Sequence, residues 1–562
     1  MQAKCTLSGE IFDVSDHEIE LRKKINFGNT LPSMLPKYRF QYLGAFWPQW
    51  NLHKRNCDKT GKPIISIFRP DCRYPVWHRD EWIKYNSPPS QDFDFSRSFF
   101  EQVAELFPKC PIPHIFQSNN QNCEYTDDWY HSKNCYLCHS GQNNEDCRYC
   151  YGCDSIKNVH GGVFSFKSEF CYDIINCSSC YKSRFLLNCK NVTDSAFLYD
   201  CRDCSDCLFC FNLRHKKYCF GNQQLSKEEF EEKKKEWSFS SYKNYEKAKL
   251  YFARMMVKKA WHRAIQIDLC ENSSGNFIHH CKDCENCYML SYHEACANTT
   301  FCGPNAKFIL DSIGTVGSEL SFMCSLPVYC YNTIFCFSVD NCKFVEYSAY
   351  LQNCEYCFGC CGLFRKKYCI FNKQYSKEEY EKLVPRIREH MGKFPSTFGR
   401  GIRGEDEWGQ FFPQSMAPNP YNESFSGYHF PLNSESSQEF WQAGPLERIN
   451  MKTAEINELP DSLESLTDEK EEWLITQVFW DDKYQRPFQI QKDEIKFIKI
   501  MNAPLPHCYY INRIQSNFKW MPFNGELRES KCAKSGKMIH TNWAKEYDER
   551  ILSEEEYLKL VK

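Results

Sequence analysis

Residues 195–219 read SAFLYDCRDCSDCLFCFNLRHKKYC, and their cysteines, Cys201, Cys204, Cys207, Cys210 and Cys219, all stand on positions divisible by three. The rule runs back without exception through Cys189, Cys180, Cys177, Cys171, Cys153, Cys150, Cys147, Cys138 and Cys135 to Cys123. A stronger sub-period of six passes through Cys135, Gly141, Cys147, Cys153, Val159, Ser165, Cys171, Cys177, Ser183, Cys189, Ser195, Cys201 and Cys207. A second run keeps that step through Ala306, Ser312, Ser318, Cys324, Cys330, Cys336, Cys342, Ser348, Cys354 and Cys360. Most of these slots hold small residues.

A strict step of three or six is foreign to an α-helix, where each three-residue step drifts by about 60° around the axis. Collagen-like winding needs far more glycine and proline. The pattern predicts a β-solenoid in which a six-residue step is a short strand plus a turn and every sixth side chain points inward. Asn or Asp precedes many of the cysteines, as at Asn122, Asn134, Asn176, Asn188, Asp200, Asn341 and Asn353. These residues tolerate left-handed backbone, which suits corners. Gly141, Ser165, Ser183, Ala306, Ser312 and Ser348 share the slots with cysteine, so small size governs them and the thiols are expected to pack as compact apolar groups. Stacked coils also bring neighbouring cysteines within disulfide reach, so oxidation is expected to be able to cross-link them.

The two runs belong to duplicated halves. Residues 195–231 align with 348–381, SAYLQNCEYCFGCCGLFRKKYCIFNKQYSKEEYE, with one extra Cys-x-x triplet in the first copy. Each copy leaves through a capping box, Ser226 with Glu229 and Ser376 with Glu379, ahead of a charged helical run. A second duplication brackets the first: EIFDVSDHEIEL at 10–21 matches RPFQIQKDEIKF at 486–497, and LHKRNCDKTGKPI at 52–64 matches LRESKCAKSGKMI at 527–539. The expected organisation is an N-terminal module at 1–119, a first solenoid half at 120–224 and a helical connector at 225–267. A second half at 268–372 and an exit helix at 373–394 follow, then extended loops at 395–470 and a C-terminal module at 471–562. The fold class is thus mainly β with α segments.

The runs DFDFSRSFFEQ at 92–102, RKKYCIFNKQYSKEEYEKL at 365–383 and EWGQFFPQSMAPNPYNES at 407–424 resemble an uncharacterised cysteine-rich family common in candidate-phyla bacteria. Some of its members carry a label taken from a coenzyme A transferase family, which nothing in these residues supports. The resemblance covers nearly the whole chain and implies terminal modules like zinc ribbons, with Cys-x-x-Cys knuckles. This chain departs from that pattern, reading Cys5-x-x-Ser8-Gly9, Cys57-x-x-Thr60-Gly61 and Cys532-x-x-Ser535-Gly536, with Leu35-Pro36-Lys37-Tyr38-Arg39 where a second knuckle would fall. A hydroxyl is a poor zinc ligand at neutral pH. The modules therefore read as degenerate zinc-ribbon-like, and the one residual set offering several ligand types is Cys57, Cys72, His78 and Glu81. No cofactor is expected otherwise.

A formal charge of −2 over 562 residues gives no global basic field for bulk nucleic-acid binding. The start, MQAKCTLSGEIFDV, has no apolar signal core, and no window approaches the roughly 18 apolar residues of a membrane span. A cytoplasmic, soluble protein without membrane contact is expected, its cysteines reduced. Basic loops beside aromatics, Arg214, Lys216 and Lys217 before Tyr218, and Arg365, Lys366 and Lys367 before Tyr368, are candidate partner or nucleic-acid contacts. The connector 242–267 adds further lysines and arginines. Asp200, Asp203 and Asp206 are the best carboxylate cluster for a carbohydrate-active enzyme, and Cys138-His139 and His280-Cys281 the only hints of a thiol nucleophile. No phosphate loop, His-Glu-x-x-His or Gly-x-Ser-x-Gly is present. The expected function is a non-enzymatic scaffold with protein partners in a larger assembly and no small-molecule substrate. The alternatives are a nucleic-acid- or ribonucleoprotein-associated factor and a β-solenoid carbohydrate-active or thiol enzyme.

Overall fold

The backbone of residues 116–224 repeats every three residues. In each triplet the middle residue is left-handed, from Asn119 through Asn122, Tyr125 and Asp128 to Tyr218, with φ between about 45° and 76°. The first residue donates its N–H forward, as Lys133 to the Asn144 carbonyl at 2.8 Å, and the middle one donates backward, as Asn134 to the Gln121 carbonyl at 2.9 Å. Strands pair in parallel with partners twelve residues on, as Val159 with Cys171 and Cys207 with Cys219. A twelve-residue rung therefore has four corners. The structure, a computed structural model, describes residues 1–27, 31–49, 51–394, 406–432, 440–444, 452–523 and 525–561. Of the expected loops at 395–470, residues 395–405, 433–439 and 445–451 lie outside the described residues. The fold is mainly β with α segments.

Left-handed backbone costs an ordinary residue about 1–2 kcal/mol, so a corner every third residue must be offset by what stacks there. Both kinds of corner residue do stack. Asn122 donates its amide to Asn134 at 3.2 Å and Asn134 to Asp146 at 2.9 Å. Phe185, Phe197 and Phe209 form an aromatic column with ring centroids 4.9 and 5.1 Å apart. The third residue of each triplet fills the interior. Cys189 shows how: its thiol donates to the Leu187 and Leu198 carbonyls at 3.3 and 3.6 Å, while its N–H donates to Cys177 Sγ at 3.4 Å. Serine does the same, Ser195 Oγ accepting from Cys207 N–H at 3.0 Å. The slot thus selects small side chains that also give and take a hydrogen bond.

This corrects the expected six-residue unit. Every third side chain is internal, and the period of six arises because slots two triplets apart form the small columns. The other two columns take bulk from Ile156, Ile174, Leu186, Val192 and Leu198, all at most 1% exposed.

The second ladder, from residue 265, obeys the same rule with two slips. Ile267 pairs with Ile278, eleven residues on, and Ala297 with Leu310, thirteen on. Between the slips Cys281, Cys284, Cys287 and Cys296 keep the step of three at shifted positions and stay in the interior. From Ala306 onward the phase returns. Both ladders end alike, in an antiparallel hairpin, Lys217–Phe220 with Gln223–Gln224 and Lys367–Ile370 with Lys373–Gln374. Helices Lys227–Lys235 and Lys377–Met391 follow, each opened by the expected capping box.

The chain forms two compact units. One comprises Met1–Ile115, Ile265–Ala443 and Phe523–Leu527, the other Phe116–Ala264, Gly444–Pro522 and Arg528–Lys562. The N-terminal module therefore covers the second ladder, with Phe46 against Phe337 and Phe99 against Tyr347 at 5.0 and 5.1 Å. The C-terminal module covers the first, with Phe518 against Tyr151 at 5.3 Å and Phe497 stacked on His160 at 3.8 Å. Among the described residues no helix is long and apolar enough to cross a membrane.

Candidate functional site

Three knuckles repeat one geometry. Cys5, Cys57 and Cys532 donate their N–H to the carbonyls of Glu10, Lys62 and Lys537 at 2.7–2.9 Å, and accept one at their own carbonyl from Gly9, Gly61 and Gly536. Those glycines have φ of 74°, 69° and 69°, a turn that a Cβ would strain. A second segment then crosses each turn: Thr6, Asp58 and Ala533 donate to the carbonyls of Ser33, Val76 and Ile551. Two residues further on, a backbone N–H points at the sulfur, His78 to Cys57 at 3.2 Å and Ser553 to Cys532 at 3.3 Å, with Leu35 serving Cys5. Burial raises the Cys532 thiol, but bonds from the Ser535 hydroxyl and the Ser553 and Ser535 N–H groups outweigh it and bring it down to about 6. Cys5 and Cys57 are likewise lowered, burial being outweighed by Ser8 and Thr60 and by backbone donors. Each turn stabilises one thiolate.

The four candidate metal ligands have separate occupations. His78 Nδ1 accepts the Asp80 N–H at 3.3 Å, starting the short helix Arg79–Trp82, and its ring stacks on His114. Glu81 pairs with Lys59 at 3.0 Å. The Cys72 thiol, pushed up to about 11 by burial, donates to the Pro418 carbonyl at 3.4 Å. Only His78 reaches Cys57, and it does so through its backbone. Among the described residues no three His, Cys, Asp or Glu side chains converge to hold a metal ion. The donor set in this arrangement does not fit tetrahedral zinc.

The two basic loops differ. Arg214 turns inward, donating to the buried Asp200 and, at 2.8 Å, to the Tyr557 hydroxyl of the terminal helix Glu554–Val561. It is a structural tie. Lys216 and Lys217 are exposed, with Lys217 near Asp206 at 3.8 Å. In the other unit Arg365 is exposed over the Phe364 ring, Lys366 donates to the Asn86 carbonyl at 3.2 Å, and Lys367 pairs with Glu355 at 2.7 Å. The loops thus fall in separate units, each partly neutralised by its own neighbours.

The enzyme alternatives find little geometry. Asp200, Asp203 and Asp206 each take a left-handed corner, with φ of 51°, 53° and 49°, so they stand on successive sides of one rung. Asp203 accepts from Asn191 at 2.9 Å and Asp200 from Asn212 at 2.9 Å. Cys138 lies inside the ladder while His139 faces outward towards Tyr510. Likewise Cys281 is interior and His280 stacks on Tyr292. Neighbours in sequence, these pairs face opposite ways.

What the sequence reading missed is a buried ionic centre in each module. Helices Asp16–Lys24 and Pro36–Gly44 bring Glu18 to Arg39 at 3.0 Å, and Arg22 joins Glu18 at 2.8 Å. Both guanidiniums also bind Asp311 of the ladder, and Asn298 donates to Glu18 at 2.9 Å. Burial pushes the Asp311 carboxyl up against the pull of Arg39, whereas Glu18, despite its burial, is held below the usual range by Arg39 and Arg22. In the other unit helices Lys492–Met501 and Tyr510–Phe518 bring Glu494 to Arg513 at 2.8 Å, and Tyr149 of the ladder donates to Glu494 at 2.7 Å. The aligned pair Glu18 and Glu494 was visible in the terminal duplication, but burial of either was not. No protein-family model matches this chain, and none of the curated proteins does.

Proposed function

We propose that the two ladders are β-solenoids of twelve-residue coils, each clamped by a degenerate zinc-ribbon-like module, and that the protein is a non-enzymatic scaffold acting within a larger assembly. The observation that carries this reading is the use to which the interior is put. Thiols, hydroxyls and backbone N–H groups of the slots satisfy one another rung by rung, as in the Cys177–Cys189 and Ser195–Cys207 pairs, which leaves binding to the outer faces. Rigid repeats of this kind present extended surfaces to partners. The clamps add to the rigidity, because a module whose buried Glu–Arg pair is completed by ladder residues loses that satisfaction on leaving. Purification of the tagged full-length protein under native conditions, followed by gel filtration with light scattering and mass spectrometry, tests the reading. A protein partner in fixed stoichiometry, retained after nuclease treatment, is the expected result; elution of the chain alone would remove its basis.

A second reading rests on Lys216 and Lys217 beside Tyr218 and on Lys367 beside Tyr356 and Tyr368. It makes the outer face a nucleic-acid contact. Binding to RNA or DNA would then weaken steeply with salt and fall in the variant with alanine at 216, 217, 366 and 367.

A further inference from the structure

The hairpin and helix that close each ladder stand at its exit, at the far end from the opening rung. In both ladders that rung carries a partly accessible cysteine, Cys123 in one and Cys270 in the other, whereas the thiols of the later rungs are buried. Each sits directly beneath a buried cysteine of the next rung. Gln121 pairs in parallel with Lys133, which sets Cys123 under Cys135, and Glu271 with Lys282, which sets Cys270 under Cys281. The thiols of each pair are in side-chain hydrogen-bond contact, and the Cys281 N–H donates to Cys270 Sγ at 3.3 Å. Neighbouring strands lie about 4.8 Å apart, inside the range of Cα separations that a disulfide bridges.

We propose that Cys123–Cys135 and Cys270–Cys281 are thiol–disulfide modification sites, one at the opening of each ladder, that react with small disulfides such as glutathione disulfide. The bond to Cys135 and burial hold the Cys123 thiol above the usual range, and burial does the same to Cys270, so the reaction is one of alkaline solution. There the exposed sulfur, as thiolate, attacks one sulfur of the reagent, breaks its S–S bond and releases one glutathione thiolate, which takes up a proton. The buried partner, deprotonated in turn, then attacks the sulfur of Cys123 or Cys270 in the mixed disulfide and expels the second glutathione. Two protein thiols and one glutathione disulfide become one protein disulfide and two glutathiones. Access selects these pairs over equally stacked interior ones, such as Cys177 and Cys189, which are 1% and 2% exposed. The other half-accessible thiol of the N-terminal unit, Cys72, is turned to the Pro418 carbonyl.

The test treats the reduced, folded full chain with glutathione disulfide in alkaline buffer, quenches with acid and N-ethylmaleimide, and maps peptides after cleavage by trypsin and a glutamate-specific protease. Disulfides 123–135 and 270–281 are expected first, while Cys189 and Cys342 take the alkylating agent only after unfolding. Cys123→Ser removes the first disulfide and leaves the second. Cys135→Ser stops at the glutathione adduct on Cys123. Stable adducts on Cys123 and Cys270 of the unsubstituted protein, no reaction at either, or equal oxidation of interior cysteines would each overturn the proposal. Because Cys123→Ser alters a partly exposed serine-compatible slot, that variant reports even where the buried substitution impairs folding.

Discussion

The two clamps share a helix pair and a buried Glu–Arg bond but neutralise it differently. Over the second ladder the module supplies two arginines, Arg22 and Arg39, and the ladder supplies Asp311. Over the first ladder the residue aligned with Arg22 is Ile498, and the ladder offers Tyr149, whose ring lies 4.3 Å beneath the Arg513 guanidinium. The acid that corresponds to Asp311, Asp173 in the equivalent seven-residue strand, is served instead by Tyr245, Asn517 and Lys249. Both solutions balance buried charge, and they are not interchangeable. An N-terminal module on the first ladder would bring Arg22 to an acid already paired with Lys249. A C-terminal module on the second would leave Asp311 short of a cation. Exchange of the duplicated parts is thereby disfavoured, which a duplication of identical modules would not achieve.

The largest effect is expected from removing the shared bond. Arg513→Met strands Glu494, and Arg39→Met leaves Glu18 and Asp311 to share Arg22; in each case urea unfolding should show a loss of about 3–5 kcal/mol in the affected unit. Near-silent substitutions would show that the helix pairs hold by apolar contact alone.

A pH experiment sharpens the comparison within the first ladder. Burial raises Asp127 to about 8, and its Oδ1 accepts the Phe116 N–H at 2.8 Å. A carboxyl raised on folding contributes most below its unfolded value near 4, and that contribution fades as pH rises through the folded value. Asp127→Asn keeps the acceptor and loses the titration. Its unfolding free energy should therefore gain on the parent's progressively from pH 4 to pH 8, by at most about 1.4 kcal/mol per pH unit, and then hold steady, with the melting temperatures diverging in step. Parallel curves for the two proteins would contradict the buried acid.

Arg22→Ile imports the residue of the other clamp. A loss of about 2–3 kcal/mol is expected, with part recovered in the double variant that also carries Asp311→Asn. Strict additivity would mean that the two side chains do not act together.

The smallest effect separates size from hydrogen bonding in the slots. Cys177→Ser should change stability by less than about 1 kcal/mol, whereas Cys177→Val, similar in size but without donor or acceptor, orphans the Cys189 N–H and costs about 1–3 kcal/mol. Equal tolerance of both would restore size as the only rule.

Much of this was legible in advance because a ladder is a local object. Cys201, Cys204 and Cys207 announce three-residue spacing, Asn134 and Asp200 announce left-handed corners, and Ser226 with Glu229 announces the exit helix. Three things were hidden. Phe185, Phe197 and Phe209 are poor formers of left-handed backbone, placed at corners by the three-residue repeat, and their stacking on one another and under the helix Tyr242–Lys258 offsets that cost. The slips near Ile267 and Ala297 shift the cysteine phase and shift it back, so the second ladder joins the phase of the first only from Ala306. The knuckles at Cys5, Cys57 and Cys532 are recognisably incomplete, but the backbone donors to Cys57 and Cys532, His78 and Ser553, each 21 residues on, act through main-chain N–H groups that no side-chain motif marks.

The sequence by itself determined the cysteine period, the small interior slots, the helical exits and both duplications, while its stronger period of six concealed the three-residue backbone. Each of these depends on contacts that recur at one fixed separation and so leave a period in the chain. Only the tertiary structure decided which module covers which ladder and which charges meet beneath it. Asp311 of the ladder meets Arg22 and Arg39 from 289 and 272 residues away, each contact is made once, and an interaction made once leaves no period to read.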